Sequence, residues 1–161
     1  MREYDDMSIK IEVDIKRSKA IHTPADEAFR RIKTVEEMAS YFPNLDQLDK
    51  VDEQTYGWVL HKIGNEAYKH RVEYTSRWQW HHDDRKITWE PIEGKGNTQI
   101  SGFCHVLERG QSSEVIFTVQ AVLDIPLPRL TKSIAKPIVK KKFEAVIDTY
   151  IDNVVAEMGA S

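Results

Sequence analysis

The chain has 161 residues, a length typical of one domain that buries a substantial core. With 30% charged residues and a formal net charge of −3, it lacks the basic excess of nucleic-acid-binding proteins, so no nucleic-acid partner is expected. No apolar run reaches the length of a transmembrane helix. The single cysteine, Cys104, cannot form an internal disulfide, which favours the reducing cytoplasm.

The first segment, residues 1–7, lacks the apolar stretch of a signal peptide and is expected to be a disordered lead-in. The next stretch alternates strictly and predicts a half-buried strand. Its apolar face comprises Ile9, Ile11, Val13 and Ile15. Two short helices follow. Thr23 is expected to cap the first, with Pro24 at its first position, and Thr34 with Glu37 has capping-box spacing for the second.

The middle of the chain predicts about six antiparallel strands. Their segments are, in order, LDKVD, TYGWVLHKI, AYKHRVEYTSRWQW, KITWEPI, TQISGFCHVLE and SEVIFTVQAVLDI. The third segment alternates, and one of its faces carries Tyr68, His70, Val72, Tyr74, Trp78 and Trp80. The last segment also alternates, with Val115, Phe117, Val119, Ala121 and Leu123 on one face.

A long helix is predicted from Arg129 to about Met158 by the 3.6-residue apolar period. Its apolar stripe comprises Leu130, Ile134, Ile138, Phe143, Val146, Ile147, Tyr150, Ile151, Val154 and Met158. Pro137 lacks a backbone donor, so a kink or break is expected there. One helix cannot cover both faces of a flat seven-stranded sheet. The order of elements therefore predicts an α+β fold, in which a strongly curved antiparallel sheet of about seven strands wraps around the C-terminal helix and leaves a cavity.

Three segments of the chain resemble the START-like helix-grip superfamily, also called the polyketide cyclase/dehydrase and lipid-transport superfamily. They are AIHTPADEAFRRIKTVEEMASYFPNL, ITWEPIEGKGN with the strands after it, and the closing PLPRLTKSIAKPIVKKKFEAVIDTYIDNV. The resemblance covers about residues 8–158 and implies a single helix-grip domain with an apolar cavity. Members of this superfamily bind sterols, phospholipids, quinones, polyketides or plant hormones, and a minority cyclise or dehydrate polyketides.

The side chains expected around a hydrophobic ligand come from the concave face of the sheet and from the long helix. They are Tyr68, His70, Val72, Tyr74, Trp78, Trp89, Phe103, Phe117, Val119, Ile134 and Ile138. An aromatic-lined cavity with a few polar tips is typical of ligand sites. The alternative is plain core packing, because buried aromatic residues also dominate ordinary cores.

Histidines are the candidates for chemistry. His70 is the candidate general acid or base, because its unperturbed pKa lies near neutrality, but no carboxylate partner is evident on its predicted face. The direction in which His61 and His105 point is not fixed by the sequence. The adjacent pair His81 and His82 falls in a predicted turn, where neighbouring residues diverge, so no metal site is expected. No cofactor motif is found either.

The long helix carries its charges in two blocks. Bases crowd its first half, and the acids Glu144, Asp148, Asp152 and Glu157 fill its second half. This order opposes the helix dipole. One interpretation is a solvated face. The other is a transient contact with an anionic membrane surface through Lys136, Lys140, Lys141 and Lys142.

The leading hypothesis is binding, and transport or sequestration, of a hydrophobic small molecule or lipid. One alternative is a cyclase or dehydratase that uses a cavity histidine. The other is a protein-interaction module that acts through its surface.

Overall fold

The computed structural model describes residues 8–43, 45–64 and 69–159, with the side chains of 61–64, 69 and 70 excluded. The expected lead-in, residues 1–7, lies outside the described residues. The elements are β1 (Ile9–Ile21), α1 (Ala25–Ile32), α2 (Val35–Ala39), β2 (Leu45–Lys50), β3 (Thr55–Gly64), β4 (Lys69–His81), a 3₁₀ turn (His82–Asp84), β5 (Lys86–Gly96), β6 (Thr98–Arg109), β7 (Ser112–Ile125), a second 3₁₀ turn (Arg129–Thr131) and α3 (Lys132–Glu157).

In the described part of the chain, seven strands form one antiparallel sheet in the order β1-β7-β6-β5-β4-β3-β2. The long helix α3 packs against both β1, at one edge, and β3, next to the other edge. A flat sheet could not bring these distant strands to one helix, so the sheet curves around α3. The predicted helix-grip fold is confirmed.

Alternation in the sequence explains which face of the sheet is concave. Along β1, the apolar face predicted from the sequence is buried, and the intervening charged residues are exposed. β1 pairs with β7 from Ile9 opposite Ile125 to Ile21 opposite Ser113, which joins two buried rows along their length. Burial of these aliphatic side chains stabilises the fold by roughly 1.5–3 kcal/mol each relative to exposure.

The start of each short helix differs from the capping predicted. The first helix begins at Ala25, and Thr23 donates its hydroxyl hydrogen bond to the carbonyl of Met158 instead of capping it. Thr34 does occupy the cap position of α2, but its side chain makes no capping bond. Both capping-bond predictions are wrong. The reason at Thr23 is non-local, because the end of α3 competes for its hydroxyl.

The long helix is continuous through Pro137, so a break does not occur there, and a kink stays a prediction. Its buried face also differs from the predicted stripe. The first buried residues are Ala135 and Val139, while Leu130 and Ile134 are 93% and 57% exposed. Ile134 precedes the buried Phe143 by nine residues, or about two and a half turns, so it lies opposite the buried row, which runs every four residues from Ala135 to Phe143. Within the described residues, no helix has both the length and the apolarity needed to cross a membrane.

Candidate functional site

A cavity lies between the concave face of the sheet and the second half of α3. Its lining comprises Phe42, Trp58, Leu60, Tyr74, Ser76, Trp78, Trp89, Ile100, Phe117, Val119, Ile147, Tyr150 and Ile151. It encloses about 40 Å³, whereas pockets for drug-sized ligands measure roughly 300–1,000 Å³. A ligand of that size can therefore enter only if lining side chains move aside.

The aromatic side chains of this lining form one continuous wall. Trp58 stacks on Tyr74 with ring centroids 5.8 Å apart, and its ring lies 6.1 Å from that of Trp78. Trp78 in turn lies 4.9 Å from Trp89. Such contacts add roughly 0.5–1.5 kcal/mol per pair beyond area burial. Three neighbouring strands, β3, β4 and β5, supply these rings, so the wall depends on their register.

At the edge of this wall, Phe42 joins the sheet to α3. Its ring stacks on Tyr150 of α3 with centroids 4.0 Å apart and meets the edge of Trp58 at 5.7 Å. The adjacent carbonyl of Tyr41 accepts a hydrogen bond of 2.9 Å from the Asn153 side chain. Both Phe42 and Tyr150 are half-buried. They can therefore move with less loss of packing than the buried lining aromatics Trp58, Tyr74, Trp78 and Phe117.

Ser76 is the polar centre of the wall. It is 1% exposed, and its hydroxyl oxygen accepts hydrogen bonds from the indole N–H groups of Trp58 (3.0 Å) and Trp78 (2.9 Å). A serine hydroxyl has two acceptor lone pairs and one donor hydrogen. Because the two indoles occupy the lone pairs, the hydroxyl hydrogen can be donated to an acceptor atom of a ligand in the cavity.

Two phenols and a thiol near the cavity are held neutral by burial. Burial raises the pKa of Tyr74 and the pKa of Cys104 far above their usual values. Burial also raises the pKa of Tyr150, and the neighbouring Cys104 and Tyr74 groups raise it further. A neutral thiol is a poor nucleophile. The site therefore provides hydrogen-bonding phenols in apolar surroundings, and Cys104 acts as a small buried hydrophobe.

The stability of the protein is expected to fall as the pH rises through about 10. In the unfolded chain Tyr74 and Tyr150 ionise near pH 10, whereas their folded-state pKa values are higher. The contribution of the two neutral phenols to the free energy of unfolding is thus fully present below the pKa of tyrosine in the unfolded chain. Above that pKa it decreases by about 1.4 kcal/mol per pH unit for each phenol. Urea unfolding at pH values on either side of 10 measures this slope, which Tyr74→Phe should reduce. Titration of both phenols near pH 10 in the folded protein would contradict it.

The structure brings together five of the residues predicted to surround a ligand, namely Tyr74, Trp78, Trp89, Phe117 and Val119. Val72 is fully buried in the core and Ile138 is half-buried on α3; neither lines the cavity. Tyr68 and the side chain of His70 lie outside the described residues, as does the side chain of His61.

Two predicted ligand contacts are placed elsewhere. Phe103 lies on the face of β6 opposite the buried Cys104, where the Lys86 ammonium sits 4.3 Å from its ring centroid. Ile134 is exposed on α3. His105 shares the outward face of β6 with Phe103, because Cys104 and Val106 point inward. The error at Phe103 arises because β6 carries apolar residues on both faces, so its alternation did not fix its phase.

Several lining residues were not predicted, and most of them left a signal in the sequence. Ser76 is the small polar residue within the inward row of β4, between Tyr74 and Trp78. Tyr150 belongs to the predicted helical stripe. Phe42 and Trp58 join the site only through contacts between distant segments, which no local pattern reports.

The turn after β4 disperses its polar side chains. His81 shares a hydrogen bond of 3.2 Å with Thr88, and His82 meets the Phe29 ring edge-on at 5.7 Å. Arg85 has a positive φ of 53° and binds Asp26 through its Nε at 2.6 Å. The turn thus fastens β4 and β5 to α1, and these contacts are structural.

The two charged halves of α3 have different surroundings. In the second half, Asp148 accepts a bidentate pair of hydrogen bonds from Arg17 at 2.7 and 3.2 Å, and Asp152 lies 3.5 Å from Lys19. Cations on β1 therefore compensate these acids. Lys136, Lys140, Lys141 and Lys142 in the first half are exposed, and no ion pair to them is found within the described residues.

Comparisons with known proteins agree with this geometry. A family model described as polyketide cyclase / dehydrase and lipid transport matches residues 12–159. No curated protein matches the chain significantly. Similar solved structures include the Zhui aromatase/cyclase from Streptomyces sp. R1128, with a TM-score of 0.73 and 14% identity over 91% of this chain and 93% of that chain.

Two further solved structures show the same likeness. A START superfamily protein from Mycobacterium smegmatis has a TM-score of 0.66 and 8% identity over 90% of this chain and 96% of that chain. Norcoclaurine synthase from Thalictrum has a TM-score of 0.57 and 15% identity over 92% of this chain and 97% of that chain. At these identities the likeness shows the fold alone.

Proposed function

The chain belongs to the polyketide cyclase/dehydrase and lipid-transport family, and from this premise we propose that it binds a hydrophobic small molecule or lipid between the sheet and α3, and carries or sequesters it. Family and fold point to hydrophobic-ligand binding or to a cyclase/dehydratase-type function. The observation that carries the binding proposal is the aromatic cavity with Ser76 at its centre.

The proposed binding mode follows from the chemistry of the lining. The aromatic wall removes apolar ligand surface from water, which is worth roughly 25 cal/mol per Å² of apolar area. The hydroxyl of Ser76 orients the ligand by donating to a carbonyl or ether oxygen. Because the cavity is small, entry requires displacement of the Phe42–Tyr150 stack, whose two rings are half-buried.

The direct test is to purify the protein gently from its own host and to compare native with denaturing mass spectra. We expect an extra mass that is lost on denaturation and recovered as an apolar compound by organic extraction. Absence of any bound species, even after soaking with lipid and quinone mixtures, would overturn the carrier function and favour a role through the protein surface.

Filling the cavity should remove binding. Val119 lines it and is 7% exposed, and its replacement by phenylalanine occupies the free space. We expect Val119→Phe to weaken the binding of anilinonaphthalene sulfonate at least about tenfold, at an overpacking cost of roughly 1–3 kcal/mol. Fluorescence titration measures the affinity, and urea unfolding verifies the fold.

The matched control is Val122→Phe on the same strand. Val122 is half-exposed and points away from the cavity, so this variant gains the same volume without filling the site. It should bind the dye like the unaltered protein. Equal affinities for all three proteins would show that the dye does not enter the cavity and would count against the proposed site.

A cyclase or dehydratase is the second candidate function, and the fold shared with the Zhui aromatase/cyclase favours it. His70 remains its proposed general acid or base. The discriminating variant is His70→Gln, assayed on the compound recovered by extraction. Turnover that is lost while binding persists supports the enzyme. Binding without turnover in the unaltered protein supports the carrier.

A transient contact with an anionic membrane surface, through Lys136, Lys140, Lys141 and Lys142, belongs to the same proposal, because an apolar cargo must be exchanged with an apolar reservoir. A cytoplasmic location is proposed as well, since Cys104 has no internal disulfide partner.

A further inference from the structure

The beginning of α3 exposes large apolar side chains to solvent. Leu130, in the 3₁₀ turn, is 93% exposed, and Ile134, one turn later, is 57% exposed. The exposed Pro137 follows at helical spacing on the same side. Single exposed apolar residues are ordinary on protein surfaces. Here, however, two of the three large hydrophobic residues that are exposed in the described part of the chain lie side by side.

Cations share the helical turns of this apolar pair, and their spacing of two residues from Ile134 places them toward the other side of the helix, so the whole beginning of α3 is cationic. Lys132 and Lys136 are exposed on the same helical turns, and neither has an ion pair within the described residues. The acids of α3 behave differently, since Asp148 and Asp152 bind Arg17 and Lys19 of β1. The protein therefore compensates two acids of the second half of the helix internally, and leaves positive charge at the end that carries Leu130 and Ile134.

A groove beside Leu130 gathers further positive charge. It has a volume of about 360 Å³ and is lined by Ser8, Ile9, Lys10, Arg129 and Lys132. Asp124 is the acid in register with Lys10 on the neighbouring strand, so the described charges at this end are mainly, but not wholly, positive. Lys10 and Lys132 at a groove of this size suit a phosphate-bearing headgroup.

We propose that this surface, named the docking face and defined by Leu130, Ile134, Lys10, Lys132 and Lys136 around the beginning of α3, binds an anionic phospholipid bilayer with that end of the helix pointing at the membrane. Leu130 and Ile134 enter the boundary between headgroups and acyl chains, while the cations bind lipid phosphates. The whole chain carries a net charge of −3, so attraction to an anionic surface depends on this local patch. The inference rests on the membrane contact in the proposed function and adds its apolar anchor and its orientation.

The docking face is separate from the cavity. Ile147, the first residue of α3 that lines the cavity, follows Ile134 by 13 residues, or roughly 20 Å at 1.5 Å per residue. Variants of the docking face should therefore leave cavity binding unchanged, so that failure of one proposal can be told from failure of the other.

The test is co-flotation with vesicles made of equal parts of phosphatidylcholine and phosphatidylglycerol, and with vesicles of phosphatidylcholine alone. We expect binding to the anionic vesicles only. The double variant Leu130→Asn with Ile134→Asn should weaken it at least about tenfold, and Lys132→Glu with Lys136→Glu by at least the same factor, since each lysine near the surface contributes roughly fivefold.

Matched controls lie at the opposite end of the molecule. Val51→Asn removes the third exposed apolar residue, which is 65% exposed, and Lys33→Glu reverses an exposed charge after α1. Both controls should bind vesicles like the unaltered protein. If the docking variants bind as well as the controls, or if phosphatidylcholine vesicles bind equally, the docking face is wrong.

A solvent-sensitive dye reports insertion directly. Because Cys104 is buried and 1% exposed, a thiol reagent will label Leu130→Cys or Val51→Cys selectively in the folded protein. Anionic vesicles should shift the emission of the dye to the blue at position 130 and not at position 51. No shift at position 130 would rule out insertion. If inorganic phosphate abolished vesicle binding completely, the groove would be assigned to free phosphate instead.

Anilinonaphthalene sulfonate binding serves as the second measurement. Docking variants that keep dye affinity but lose vesicles support the docking face. If Val119→Phe and Val122→Phe change the dye affinity equally, the cavity proposal is wrong. The vesicle result is independent of that outcome.

Discussion

Replacing Ser76 with alanine is expected to lower the free energy of unfolding by about 2–4 kcal/mol, because two buried indole N–H groups then lose their acceptor. The hydroxyl of Ser76 accepts from Trp58 at 3.0 Å and from Trp78 at 2.9 Å, and the three side chains are 6% exposed or less. Each unpaired donor in a dry site costs about 1–3 kcal/mol, which exceeds the small loss of serine volume.

Urea unfolding measures the effect as a lower midpoint at an unchanged m-value. Ser101→Ala is the matched control, since Ser101 is half-exposed on β6 and its loss should change stability by less than about 0.5 kcal/mol. Ser76→Thr keeps the hydroxyl and should retain most of the stability. Equal stability of Ser76→Ala and Ser101→Ala would mean that water or other groups satisfy the two indoles.

This prediction also bears on ligand binding, because Ser76 holds both tryptophans in position. In Ser76→Ala the indole N–H groups turn toward whatever acceptor the cavity offers. A ligand oxygen is such an acceptor. For apolar ligands that carry a carbonyl group, we therefore expect Ser76→Ala to reduce the free energy of binding by less than it reduces the free energy of unfolding. This difference separates the structural effect of Ser76 from its contact with the ligand.

The sheet could be predicted from the sequence where alternation is strict. In β1 the exposed row is mainly charged, and in β7 the buried row is apolar from Val115 to Ile125 while the other row is mainly polar, so a shift of one residue would expose the apolar row. In β6 both faces carry apolar residues, and for that reason Phe103 was assigned to the wrong side. Alternation fixes the phase of a strand only when its two faces differ in polarity.

The helix shows the corresponding weakness of apolar periodicity. The predicted stripe followed the largest apolar residues and so included Leu130 and Ile134. The structure buries Ala135 and Val139 instead, because Ile134 lies about two and a half turns before the buried Phe143 and therefore on the opposite side of the helix. The same error led to the most informative feature of the surface. Large apolar residues that the core does not use require another explanation, and the docking face provides one.

The site depends on contacts that a local pattern cannot contain. Trp58 reaches Ser76 only because β3 and β4 pair with Trp58 opposite Tyr74 and Tyr56 opposite Ser76. Phe42 reaches Tyr150 across the molecule. The sequence therefore predicts which strands contribute aromatic side chains, but their stacking order depends on register and curvature, which are properties of the assembled sheet.

Replacing Gly102 with alanine is expected to lower the free energy of unfolding by at least about 3 kcal/mol, at the upper end of single-residue effects. A Cβ at this position would overlap the carbonyl oxygen of Thr118 and would lie 3.1 Å from Nε1 of Trp89. Gly102 pairs with Trp89 on one side and with Val119 on the other. The overlap is with backbone, so rotation of a side chain cannot relieve it.

Gly94→Ala is the matched control. Gly94 has a positive φ of 81°, but no atom lies within 4 Å of the added Cβ, so its cost is limited to backbone strain of roughly 1–2 kcal/mol. Urea unfolding of both variants separates the overlap at Gly102 from glycine's conformational effect, and hydrogen exchange of the β6–β7 amides locates the damage. The prediction would be contradicted if Gly102→Ala lowered the free energy of unfolding no more than Gly94→Ala does. Because Gly102 lets β5, β6 and β7 meet behind Trp89, the variant should also lose dye binding, whereas Gly94→Ala should keep it.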